Sequence, residues 1–146
     1  MRDFLSIMDE PTVIQIDTPE SSKSGKSILI VDDDRSALDT LARLLKLEGF
    51  SVATAADAET GITLAEQMRP NAIILDLRMP VVNGIQMLRR LRSHPDLVDV
   101  PVGMVTGDYF MPEATAAEIK SLGASLRFKP MWLEDLLALA RTLVAV

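Results

Sequence analysis

The chain has 146 residues, enough for one domain with a real core and too few for two ordinary ones. Hydrophobic residues make up 48% and aromatics only 4%, so the core is aliphatic, and a net charge of −6 argues against nucleic acid as a direct ligand. The lack of cysteine excludes disulfides, thiol catalysis and zinc–thiolate sites, and a lone histidine, His94, excludes a multi-histidine metal centre.

Residues 1–26 differ from the rest. "MRDFLSIMDEPTVIQID" is acidic and interrupted by Pro11, unlike a signal peptide, and "DTPESSKSGKS" has the Ser, Pro, Gly and charge content of a flexible linker. The reading is an N-terminal extension over 1–26 followed by one domain over 27–146. No stretch reaches the ~18 uninterrupted apolar residues of a membrane span, so a cytoplasmic protein without membrane contact is expected.

From Ser27 the pattern becomes regular. "SILIVD" is a continuous apolar run, the mark of a strand buried on both faces. "RSALDTLARLLKLEG" places Leu38, Leu41, Ala42 and Leu45 on one helical face, with Gly49 at its stop. "FSVATA" is a second strand. "DAETGITLAEQMRP" is a helix with Ile62, Ala65 and Met68 inward, ended by Pro70. "NAIILDL" is a third strand, "MPVVNG" a turn, and "IQMLRRLRS" a helix with Ile85, Leu88 and Leu91 inward. "DVPVGMVTG" holds a fourth strand, and "PEATAAEIKSLG" a helix with Pro112 near its start. "ASLRFKP" is a short fifth strand, and "LEDLLALARTLVAV" a closing helix with Leu133, Leu136, Leu137, Ala140 and Leu143 inward. Strands alternating five times with helices call for an α/β fold with a parallel sheet covered on both faces.

Ligands of such sheets bind at the carboxyl ends of the strands. Those ends carry Asp32, Asp33 and Asp34, then Asp76, then Thr106 and Gly107, then Lys129 and Pro130. "SGKS" at 24–27 is not a phosphate loop: Glu20 stands where that motif needs glycine, and the motif precedes a strand instead of opening a helix. Packed carboxylates instead suit Mg²⁺, which takes oxygen ligands and typically uses one or two protein carboxylates plus a phosphate. Asp34 also reads as a helix N-cap. Asp76, as a carboxylate nucleophile, can form an acyl phosphate without a general base, with Lys129, the Thr106 hydroxyl and backbone N–H groups covering the phosphoryl oxygens. His94 reads as an ordinary surface residue, and "RRLR" at 89–92 as a solvated face.

"ILIVDDDRS", "IILDLRMPVVNG", "MVTG" and "FKP", in this order from about Lys26 to the C-terminus, resemble the response-regulator receiver domain of two-component signalling. The resemblance implies a flavodoxin-like (βα)5 doubly wound sandwich with strand order 2-1-3-4-5. It implies Asp32 and Asp33 as the acidic pair organising Mg²⁺, Asp76 as phospho-acceptor and metal ligand, and the Arg78 backbone carbonyl as a further ligand. Thr106 is then the switch hydroxyl, and Lys129 the lysine that pairs with the phosphoryl group, before a cis bond to Pro130. The implied donor is a phosphohistidine on a sensor histidine kinase or phosphotransfer protein. The implied outcome is a stand-alone switch or relay toward a downstream protein target, with no enzymatic activity beyond self-catalysed phosphorylation and dephosphorylation. Apart from the resemblance, a face of Leu, Ala and Trp132 near the C-terminus leaves a homodimer open.

Three features depart from the pattern. An aromatic residue is usual three positions before the lysine, and Leu126 stands there, or Ser125 if the stretch is one residue shorter. Gly107 replaces a small alanine. The extension over 1–26 has no counterpart. Tyr109 and Phe110, just after Thr106, either pack against the following helix or supply an aromatic element in place of the missing one. The missing aromatic motivates an alternative, a receiver-like interaction module that works without phosphorylation. A phosphohydrolase is disfavoured, because Arg78 holds the place of its acid–base carboxylate.

Overall fold

The computed structural model describes residues 25–145. The extension expected over 1–26 therefore lies outside the described residues, except for Gly25 and Lys26. The first apolar run forms β1 (Ser27–Val31), in which every residue after Ser27 is buried. Its side chains alternate between two cores: Leu29 and Val31 belong to one, Ile28 and Ile30 to the other. Burial on both faces requires cover on both faces, and the helices supply it.

On one face lie α1 (Arg35–Leu47) and α5 (Leu133–Val144), which contribute Leu38, Leu45, Leu136, Leu139, Ala140 and Leu143. On the other lie α2 (Ala58–Met68), α3 (Gly84–Ser93) and α4 (Glu113–Ser121), which contribute Ile62, Ala65, Leu88, Leu91 and Ile119. The remaining strands are β2 (Ser51–Ala55), β3 (Ala72–Asp76), β4 (Val102–Thr106) and β5 (Ser125–Phe128). All four pairings are parallel and the order is β2-β1-β3-β4-β5, the flavodoxin-like arrangement. Strand order reverses between β1 and β3, so the crevice above these two strands is where the fold presents a site.

Local chemistry fixes the entry into the helices beside that crevice. Asp34 caps α1, its Oδ1 accepting from the N–H groups of Ser36 and Ala37 at 3.1 and 3.2 Å. Asn83 and Gln86 form a reciprocal capping box at the start of α3.

As expected, α2 ends ahead of Pro70, stopping at Met68 with Arg69 in the left-handed region (φ 48°). Three expectations need correction. Leu133 is exposed, and Leu139 takes the inward place instead, because Leu133 is the first residue of α5, in an opening turn that is exposed through Asp135. Tyr109 and Phe110 do not pack on α4. Phe110 is 95% exposed, and Tyr109 stacks on Phe128 of β5 with ring centroids 5.3 Å apart. "RRLR" is not a simple solvated face. Arg92 is half-buried and donates to the carbonyl oxygens of Leu122, Val98 and Val100 at 2.6, 3.2 and 2.7 Å. Arg89 and Arg90 pair with Glu118 and Glu59.

Candidate functional site

β1 and β3 are neighbours in register, Val31 beside Leu75, so the residues that follow them meet at the sheet edge. Carboxylate oxygens of Asp32, Asp33 and Asp76 lie within 4.8 Å of one another. Asp32 and Asp76 are buried and Asp33 is exposed, which leaves one side of the group open to solvent. Asp32 is held at both ends. Its backbone N–H donates to the Ala55 carbonyl at 3.1 Å, and its Oδ1 accepts the Asp34 N–H at 3.0 Å. Asp34, the third of the run, turns away and is spent on the helix cap.

Asp76 closes β3, and the chain leaves it in a turn tied by the Gly84 N–H to the Leu77 carbonyl at 2.9 Å. This close return needs a residue without a side chain. A Cβ on Gly84 would stand 2.5 Å from the Asp76 carbonyl oxygen and 2.8 Å from the Leu77 Cα. Glycine at the start of α3 is thus part of what positions Asp76.

The other two strands bring a hydroxyl and a cation. Thr106, at the end of β4, is fully buried, and its backbone carbonyl accepts the Lys129 N–H at 2.8 Å. Lys129 follows β5 and carries Nζ to 3.4 Å from Asp32 Oδ2 and 3.5 Å from Asp76 Oδ1. The peptide bond to Pro130 is cis, as the resemblance implies.

The electrostatics of this group are unbalanced. Burial, reinforced by the neighbouring Asp32 carboxylate, pushes the Asp76 carboxyl up to about 6, and Lys129 only partly offsets this. Burial alone would lower the Lys129 ammonium, but Asp76 and Asp32 outweigh it and hold the lysine above its ordinary value. Two buried carboxylates and an exposed third against one ammonium form a donor set with surplus negative charge and oxygen ligands only. That set fits a hard divalent cation such as Mg²⁺.

Three features of the site escaped the sequence reading. The Arg78 side chain is paired with Asp108, Nη2 to Oδ2 at 2.7 Å, across the two loops that follow β3 and β4. Asp108 in turn donates its backbone N–H to Thr106 Oγ1 at 3.0 Å and accepts the Phe110 N–H on Oδ1 at 3.1 Å. Tyr109, held between these bonds, stacks on Phe128, the residue before Lys129. An Asp two positions after the threonine, next to Gly107 in a short loop, is the one signal that pointed there. Leu126 is half-buried and packs against the core on the α2–α4 side.

The response regulator receiver domain family matches residues 28–141. Response regulator MprA of Mycolicibacterium vanbaalenii is 38% identical over 117 residues, covering 80% of this chain and 49% of its own. Transcriptional regulatory protein PrrA of Mycobacterium tuberculosis is 35% identical over 125 residues, covering 86% of this chain and 52% of its own. The chain spans about half the length of these curated relatives. Among solved structures, the chemotaxis protein CheY4 of Vibrio cholerae superposes with a TM-score of 0.74 at 28% identity, over 81% of this chain and 98% of its own. A CheY-like receiver domain protein from Methanospirillum hungatei gives 0.74 at 29%, over 82% and 94%.

Proposed function

Since this chain belongs to the response regulator receiver domain family, we propose that it accepts a phosphoryl group on Asp76 from a phosphohistidine of a sensor histidine kinase or phosphotransfer protein. An ionised Asp76 Oδ attacks phosphorus. The Asp76 O–P bond forms as the donor's P–N bond breaks, and the donor ring, protonated on its other nitrogen, leaves as neutral imidazole. Asp76 needs no base, only the loss of a proton that burial holds up to about 6.

Asp32, Asp33, Asp76 and the Arg78 backbone carbonyl would hold Mg²⁺. When bound, that ion supplies charge neutralisation for the carboxylates and for one phosphoryl oxygen. Lys129 Nζ, already between Asp32 and Asp76, faces a second oxygen. The Thr106 hydroxyl accepts the Asp108 N–H and keeps its own proton to donate to a third. Phosphorylation then biases a protein-contact surface, or the phosphoryl group passes onward.

The observation that carries this reading is the convergence of Lys129 and three carboxylates on one open-sided cluster. Incubation with Mg²⁺ and acetyl phosphate, followed by intact mass, tests it. A gain of one phosphoryl group is expected for the native chain and none for Asp76→Asn. A folded native protein with no gain would sink the proposal. It would favour a module acting without phosphorylation, the second reading that the aliphatic Leu126 supports.

A further inference from the structure

A groove of about 720 Å³ is lined by Asp33 of the carboxylate cluster, by the loops after β3 and β4, and by Thr115 of α4. Arg78 and Asp108 span it as an ion pair between residues 30 positions apart in sequence. The pair is a weak tie between the loops, one that can be exchanged. Arg78 is 70% exposed and Asp108 21%, and an ion pair this open to water stabilises little. The Arg78 guanidinium nonetheless stands near two acids, paired with Asp108 and two residues along the chain from Asp76.

A phosphoryl group on Asp76 would change that balance. It places up to two further negative charges two residues from Arg78 and offers oxygens that a planar guanidinium can take in pairs, at a site more enclosed than Asp108. Resting on the reading that Asp76 is the acceptor, we infer that Arg78 is a phosphoryl-sensing cation: it leaves Asp108 for the phosphoryl oxygens when Asp76 is modified and so unties the two loops.

The released carboxylate is the output of the exchange. Asp108 sits between the N–H it gives to Thr106 and the N–H it takes from Phe110. Its loss of Arg78 leaves a negative charge beside a negative phosphoryl group, which repositions the Asp108 side chain and the Phe110 N–H it holds while Thr106 stays at the phosphoryl group. The ring on that loop, Tyr109, is stacked on Phe128, so the movement is passed to β5. This gives the molecule an aromatic element coupled to the site although position 126 is a leucine.

The test is a double-mutant cycle on the full chain with Mg²⁺ and beryllofluoride, a tetrahedral phosphoryl mimic, its apparent affinity read by fluorine NMR. Arg78→Gln should bind the mimic about tenfold more weakly, the scale of one charge-assisted hydrogen bond. Asp108→Asn, which frees Arg78 in advance, should bind about threefold more tightly on the same scale. In the double variant the benefit of Asp108→Asn should disappear, because it acts through Arg78. Equal gain from Asp108→Asn with and without Arg78, or native affinity in Arg78→Gln, overturns the exchange while leaving Asp76 as acceptor. If the native chain neither binds the mimic nor gains phosphoryl mass from acetyl phosphate, the acceptor reading falls and the exchange with it. Amide spectra verify that each variant is folded. Should Arg78→Gln fail that check, Arg78→Lys, which keeps the charge without the fork, should bind the mimic more weakly than native, and native affinity there overturns the exchange equally.

Discussion

Lys129 brings its ammonium to 3.5 Å from the Asp76 carboxylate, yet the carboxylate still keeps its proton up to about pH 6. Burial and Asp32 outweigh the lysine. An acid whose folded pKa lies above its unfolded value of 3.8 binds its proton more tightly when folded. Its stabilising contribution is complete below the unfolded value and is lost as pH rises toward 6. Metal-free protein is therefore expected to lose stability across that window. Asp76→Asn should flatten this slope and add about 1–3 kcal/mol at pH 7, as measured by urea denaturation. An unchanged slope would show that Asp76 is not the strained group.

The same strain predicts a pH-dependent response to divalent cations. At pH 7.5, above the value of about 6 to which Asp76 is pushed, Mg²⁺ at ten times its Kd should stabilise the native chain by about 1.4 kcal/mol. At pH 4 the effect should fall toward zero, because the ligands must be deprotonated. Asp33→Asn should remove most of the gain at pH 7.5. Thermal melts at the two pH values, with and without the ion, check all three expectations.

Gly84→Ala is a test of positioning. The new methyl group would meet the backbone of Asp76 and Leu77, which cannot swing aside as a flexible side chain would. A loss of about 1–3 kcal/mol in urea denaturation is expected. Labelling by acetyl phosphate should slow as well, since the clash falls on the Asp76 carbonyl. A variant as stable and as quickly labelled as the native chain would refute the account.

Arg92 should matter to stability and not to chemistry. Its guanidinium ties three carbonyl groups, two before β4 and one after α4, and burial depresses its pKa. Arg92→Met keeps the stem and loses the donors, leaving those carbonyls without them. The expected cost is about 2–3 kcal/mol. Labelling per folded molecule should be unchanged, and a selective loss of labelling would contradict a purely structural role.

What the sequence revealed and what it hid follow from the range of the interactions. The apolar runs at 28–31 and 72–75 read directly as strands, because burial on both faces leaves no position for a polar residue. The parallel sheet then forces their ends together, so Asp32, Asp33, Asp76, Thr106 and Lys129 could be gathered from one dimension. Contacts between loops have no such period. Arg78 with Asp108, Tyr109 with Phe128, and Arg92 with three carbonyls all join residues whose pairing depends on side-chain reach across a gap. Leu133 was misjudged for a related reason: periodicity gives the buried stripe of a helix but not the point along the helix where burial begins.

The direction of the strands has a last consequence. β1 starts, and α5 finishes, at the edge of the sheet opposite the carboxylates. Polypeptide joined before Gly25 or beyond Ala145 therefore starts some 15 Å or more from the Asp76 carboxylate, at about 3.3 Å per strand residue. The carboxylate end and the attachment points of the layer lie on opposite sides of it.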